Sequence, residues 1–397
     1  MSPYCREVIN VRKTLCLIFI LTIVSMFPMK IYADTKDDLY SQISSADTSQ
    51  IDSLINGINE KNGNVFQITD VKTYLYNLLN GKETFSVKNI VNGILNIFFN
   101  EVKASVEILI QLILLAIIGA VLTNLENSFE NGGISQVAHM AVYIVLVIVA
   151  IKSFMSVLNI GKDAIDSMVN FMQAILPVLI TMLASVGAFV SASFFQPALV
   201  MIVEFTAKEI RDFILPAILF MTAIRIISRI SDKFTLNKLA DLFKTICTAS
   251  ISILLSIFIG VLTIQGITSS LADGVISRTT KYAVGAFLPV VGSILSDSID
   301  TIMSASLLIK GAISTFGLIA IVLMAIVPII KIFSVMIIYK LSAAVVEPIA
   351  DKKIVDFLSD ISTSVAYVFA ALVSVTVMMF LAITAVINAS SISVMMR

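Results

Sequence analysis

Histidine and cysteine, the usual general base and soft metal ligand, are nearly missing from this chain of 397 residues, which has one histidine and three cysteines. Cys5 and Cys16 fall within the first 33 residues, so a chain processed there keeps Cys247 alone. That excludes an intrachain disulfide and a cysteine-built metal site. His139 stands beside Met140 on an apolar segment, with no cysteine to serve it and no serine marked as its partner. There is no P-loop, no dinucleotide-binding glycine pattern and no metal-ligand spacing. The run "GVLTIQG" at 260–266 has the wrong glycine spacing and too apolar a setting. No catalytic residue, cofactor or metal is expected, and the chain is read as a protein that is not an enzyme.

Charge is scarce too. Charged residues make up 14% of the chain, and 27 basic residues balance 27 acidic ones. No Lys/Arg run exists that could follow a phosphate backbone, which sets nucleic acid aside as a partner. What the chain has in excess is apolar surface: 58% of residues are hydrophobic, against about 45–50% in soluble domains, and the mean hydropathy is +0.98. Charge-free runs cover 169–203, 245–272, 311–330 and 361–396, each reaching the roughly 20 residues that cross a bilayer as helix. Helices must do the crossing, because hydrocarbon offers a backbone amide no partner. The expected fold is all-α: a multi-pass membrane protein of about six to eight spans.

The ends of the chain differ from its middle. Residues 1–33 read as an export signal, with Arg6, Arg12 and Lys13 before the apolar core Leu15–Phe27, and Ile31 and Ala33 ahead of a cleavage point. An uncleaved anchor is the alternative, and either way the chain from Asp34 starts outside the cytoplasm. Residues 34–103 turn polar with apolar positions at helical spacing, among them Ile51, Leu54, Ile55 and Ile58. They read as a small helical extracytoplasmic region, either a docking module or a lid on the membrane domain. Residues 104–163 form a first membrane hairpin. Further on, the apolar segments run at about 169–203, 213–230, 246–272, 283–308, 311–341 and 361–390. The first of these is one long helix or a helix plus a re-entrant piece. Arg225, Arg229, Lys233, Lys238 and Lys244 make the most basic loop, which the positive-inside rule puts in the cytoplasm.

The membrane domain says nearly the same thing twice. "AILPVLITM" at 174–182 returns as "AFLPVVGSI" at 286–294, so Pro177 and Pro289 stand 112 apart, as do Pro216 and Pro328. "LADLFKTICTAS" at 239–250 aligns with "IVDFLSDISTSV" at 354–365 at an offset of 115, which pairs Asp241 with Asp356. These matches predict two membrane repeats, 164–275 and 276–397, inverted if each crosses an odd number of times and parallel if even. Each proline removes a helical hydrogen bond, so the four are expected to kink their helices.

Ionisable residues at membrane depth are functional candidates. Here they are Glu204, Lys208, Arg211, Arg225, Arg278, Lys281, Asp297 and Asp300. Glu204 and Lys208 stand one turn apart and can pair, and Asp297 and Asp300 share a face. They line a polar path or interface, or they are loop solvation and snorkelling ends.

Several longer runs resemble a known family: "SASFFQPAL" at 191–199, "ISDKFTLNKLADLFK" at 230–244, the block from "TIQGITSSLADGVISRTTKYAVGAFLPVV" to Lys310, and "IYKLSAAVVEPI" at 338–349. They are similar to stage III sporulation protein AE of endospore-forming bacteria. The resemblance implies a multi-pass subunit in the mother-cell membrane around the forespore, part of a secretion-like channel that sustains late forespore gene expression. It implies partners in the same complex, an ATPase subunit and ring-forming single-span subunits, alongside membrane lipid, and it leaves room for self-association. A self-sufficient transporter for a small solute and a pure membrane scaffold are the competing readings.

Overall fold

The computed structural model describes residues 87–128, 133–185, 188–230, 236–287 and 291–395, all of it helix apart from short turns. The elements are α1 (Val87–Ser128), α2 (Gly133–Ser185), α3 (Phe189–Glu209), a π turn (Ile210–Ile214), α4 (Leu215–Ile230), α5 (Asn237–Phe287), α6 (Val291–Val346) and α7 (Lys352–Met395). The expected export signal, most of the extracytoplasmic region and Pro289 lie outside the described residues.

Among the described residues, five helices are long and apolar enough to cross a membrane: within α1 (Leu95–Leu122), α2 (Met140–Ala184), α5 (Asn237–Gly266), α6 (Ile313–Val346) and α7 (Lys352–Asn388). Two pairs of the apolar segments expected from the sequence are joined, because the helices run through the polar residues between them. α2 is 53 residues long, about 80 Å at 1.5 Å per residue. It joins the 137–158 segment to the first half of 169–203, since Lys162, Asp163 and Asp166 carry charge but no backbone obstacle. α6 likewise fuses 283–308 and 311–341 across Lys310 and Gly311 from Val291 on. The long 169–203 run divides: α2 ends at Ser185 and α3 starts at Phe189.

Local chemistry explains the joints. α3 passes into α4 through the π turn, where the Leu215 N–H donates to the Ile210 carbonyl five residues back. Pro216, one residue further on, has no N–H to give and crowds the preceding turn, and a widened turn absorbs that misfit. Pro177 and Pro328 sit inside α2 and α6, each deleting one bond without ending its helix. Pro348 follows the end of α6, and Asp351 then caps α7: its carboxylate accepts from the Lys353 N–H at 3.3 Å and its carbonyl from Ile354 at 3.0 Å. In the α4–α5 turn, the Ser228 hydroxyl accepts from the Leu236 N–H and donates to Asn237 Oδ1, both at 3.0 Å.

α7 is the axis of the bundle and packs against α2 to α6. Its Phe357, Leu358, Ile361, Val365, Val368 and Ala371 are all fully buried, and a helix apolar all round belongs in an interior. Aromatic contacts tie neighbours to it, Tyr143 to Phe357 at 5.6 Å and Phe333 to Phe369 at 5.7 Å between ring centroids. Two glycines set how close the helices come. A Cβ on Gly161 of α2 would meet Val368 at 3.3 Å, with Leu215 and Ile332 within 4.0 Å; one on Gly317 of α6 would stand 2.6 Å from Ile175 Cδ1 and 3.2 Å from Ile383 Cδ1. Between membrane helices, where lipid removes the hydrophobic drive, such close approach supplies the contact energy.

Candidate functional site

Two arginines on α4 gather carboxylates from two other helices. Arg225 and Arg229 are four residues apart and share a helix face. Arg225 Nη1 donates to Asp360 of α7 at 2.8 Å, and its Nη2 to Asp241 of α5 at 3.2 Å. Arg229 Nε reaches the other oxygen of Asp360 at 3.0 Å, and its Nη1 reaches Asp356 at 2.8 Å. Asp360 therefore accepts from both guanidinium groups at once. It is also the most enclosed member, its side chain 14% exposed against 58% for Asp241.

Three carboxylates thus meet two guanidinium groups at the junction of α4, α5 and α7. Beside them stands Tyr143 of α2, which feels the charges of Arg229 and Asp360. Its hydroxyl and the Arg225 Nε are buried without a protein partner. Arg forks suit this role because their planar donors hold two carboxylates in fixed directions. The arrangement clamps three helices; no member is held apart from a counter-charge as a general acid or base would be.

A second, more open pair lies on the far side of Gly161. Arg211 in the π turn donates to Asp166 of α2 at 2.6 Å and to its neighbour Asp212 at 2.7 Å. The Arg211 guanidinium holds the exposed Asp212 carboxyl below the usual aspartate range, chiefly through that hydrogen bond. On the opposite flank, Lys331 of α6 meets Glu101 of α1 at 3.5 Å.

Of the charged residues singled out in the sequence, the structure brings Arg211 and Arg225 into ion pairs. Glu204 and Lys208 lie exposed on α3 and make no ion pair among the described residues, although one turn separates them. For two solvated long side chains the gain of pairing hardly exceeds the entropy of holding them together. Arg278 and Lys281 fall in α5, and Asp297 and Asp300 in α6; their side chains lie outside the described residues. Asp166, Asp356 and Asp360 were missed as partners. The one available signal was the 115-residue offset pairing Asp241 with Asp356, both of which meet α4 arginines. Among the described residues no group of three His, Cys, Asp or Glu side chains is arranged to hold a metal.

Comparison with known proteins places this bundle. The family described as stage III sporulation protein AE matches residues 69–390. The chain is 34% identical over 367 residues to the stage III sporulation protein AE of Bacillus subtilis (strain 168), covering 92% of each chain. No solved structure matches. The chain belongs to the stage III sporulation protein AE family.

Proposed function

We propose that, as a member of this family, the chain is a non-enzymatic integral membrane subunit of a stage III sporulation channel, a secretion-like assembly linking mother cell and forespore and required for late forespore gene expression. In this reading it sits as a multi-pass protein in the mother-cell membrane around the forespore. Its partners are the other stage III membrane proteins, including an ATPase subunit that supplies energy and ring-forming subunits. An export signal at 1–33, an extracytoplasmic region over 34–103 and six to eight crossings complete the topology.

The observation that carries the reading is the family match itself, which spans nearly the whole described bundle. The geometry supports a non-enzymatic role: the charges that do come together are used to tie α4 to α5 and α7. A duplicated membrane domain fits as well, since α5 starts at Asn237 and α7 at Lys352, the same 115-residue offset found in the sequence. Internal repeats are a common way to build membrane transport proteins.

Purification of the tagged chain from sporulating cells tests it. The ATPase and ring-forming subunits should copurify, and cells lacking the chain should lose late forespore gene expression. Solute flux through vesicles containing only this chain would instead make it a transporter and overturn the proposal.

A further inference from the structure

α1 and α2 form an antiparallel hairpin whose outer faces no described residue covers. Depth along it can be counted from the turn: a Cβ on Gly119 would lie 3.7 Å from Val142, and those residues are equally far from the ends at Ser128 and Gly133. On α1 the exposed ridge is Glu107, Ile110, Leu114, Ile117 and Val121. On α2 it is Ile144, Ile148, Ile151 with Lys152, and Met155. Both step by threes and fours, the spacing of a helix that packs lengthwise on another helix.

Between the turn and Glu107 on α1, and between the turn and Met155 on α2, each ridge carries one charge, and the two are opposite and level; Lys103, also exposed, stands one turn beyond Glu107. Glu107 lies 21 residues before Ser128 and Lys152 lies 19 after Gly133. Both are exposed, and neither has an ion-pair partner among the described residues. Lipid covers the apolar residues well enough, but a carboxylate on a lipid-facing ridge is costly unless paired, and Glu has a shorter stem than Lys with which to reach the headgroups.

We infer that the α1 ridge of one copy docks on the α2 ridge of a second copy of this chain, with Glu107 of the first against Lys152 of the second. The membrane supplies the register. Any symmetry axis along the bilayer normal keeps every residue at its own depth, so α1 and α2 of neighbouring copies meet with these two side chains facing each other. Contact of α1 with α1 would set Glu107 against itself and is disfavoured. The inference rests on the membrane character of the bundle and not on the channel reading, since a subunit without a pore can associate in the same way.

The test uses two differently tagged full-length chains coexpressed in membranes, each with Cys5 and Cys16 changed to Ser. One carries Leu114→Cys and the other Ile148→Cys, positions 14 and 15 residues from the turn. Oxidation should link the two tags. Adding Glu107→Lys to the first chain should lower that product about threefold, the change expected for one polar contact between membrane helices. Adding Lys152→Glu to the second chain as well should restore it, which also shows that the altered chains fold. No product between tags, a product containing another protein, or a yield indifferent to both charge changes would overturn the inference. Those failures leave copurification of the sporulation subunits untouched, so the two proposals fail separately.

Discussion

Asp360→Ala probes the clamp at its most shared point. Asp360 receives a bond from Arg225 at 2.8 Å and one from Arg229 at 3.0 Å, with its side chain 14% exposed. A hydrogen bond to a charged group contributes about 1.5–3 kcal/mol, and breaking a buried ion pair from one side costs about 3–5 kcal/mol. Here the site is partly open and each arginine keeps a second carboxylate, so about 2–4 kcal/mol is expected. Asp241→Ala removes a far more exposed partner and should cost about 1 kcal/mol or less. Counting charges alone does not separate the two variants, because losing either carboxylate leaves two carboxylates against two guanidinium groups. The chain has no tryptophan, but Cys247 is buried on α5 and reports opening through its reaction with a thiol dye. With Cys5 and Cys16 changed to Ser, the Asp360→Ala protein in detergent should label at Cys247 tens to hundreds of times faster, as the opening equilibrium follows the lost stability. Labelling no faster than in Asp241→Ala would refute the clamp.

Other expectations follow from the packing and the ends of the helices. Gly317→Leu forces a side chain into Ile175 and Ile383 and should cost about 1–3 kcal/mol or more, whereas Gly260→Leu, with open space around its Cβ position, should leave the melting temperature in detergent almost unchanged. Arg211→Ala should matter little near neutral pH, since its partners are half exposed. The lowered Asp212 titration means that whatever the pair contributes is present above the ordinary aspartate range and fades as acid protonates the carboxylate; a melting series against pH should show the wild-type advantage vanish at the acid end. Cysteines at Leu236 and Asp351, in the turns that open α5 and α7, should react with an impermeant maleimide from one side of the membrane, and a cysteine at Phe189, beyond the far end of α2, from the other.

How far the sequence could be read depended on the range of each interaction. Membrane character and helical class rest on composition and on the backbone's need for partners, which no tertiary detail alters. Segment boundaries were harder, because Lys162 or Lys310 interrupts an apolar run without interrupting a helix; what changes the backbone is a proline or a helix end such as that of α2 at Ser185. The split of the 169–203 run was visible as an alternative for that reason. Ion pairs were least legible. Arg211 finds Asp166 across 45 residues and Arg225 finds Asp360 across 135, whereas the pair that local spacing suggested, Glu204 with Lys208, does not form. The sequence match at an offset of 115 residues came nearest to revealing the clamp, by aligning Asp241 with Asp356 before either had a partner.

Biosynthesis gives the central helix a further meaning. α7 leaves the ribosome after every other described helix, yet it supplies the surface on which α2 to α6 close and two of the three carboxylates that Arg225 and Arg229 require. Until it arrives, the earlier helices wait in the bilayer with Arg229 lacking both of its carboxylates and with an unfilled centre. Emergence of α7 and closure of the bundle are therefore coupled, and a chain stopped before Lys352 is expected to lack a packed centre instead of forming a smaller working protein.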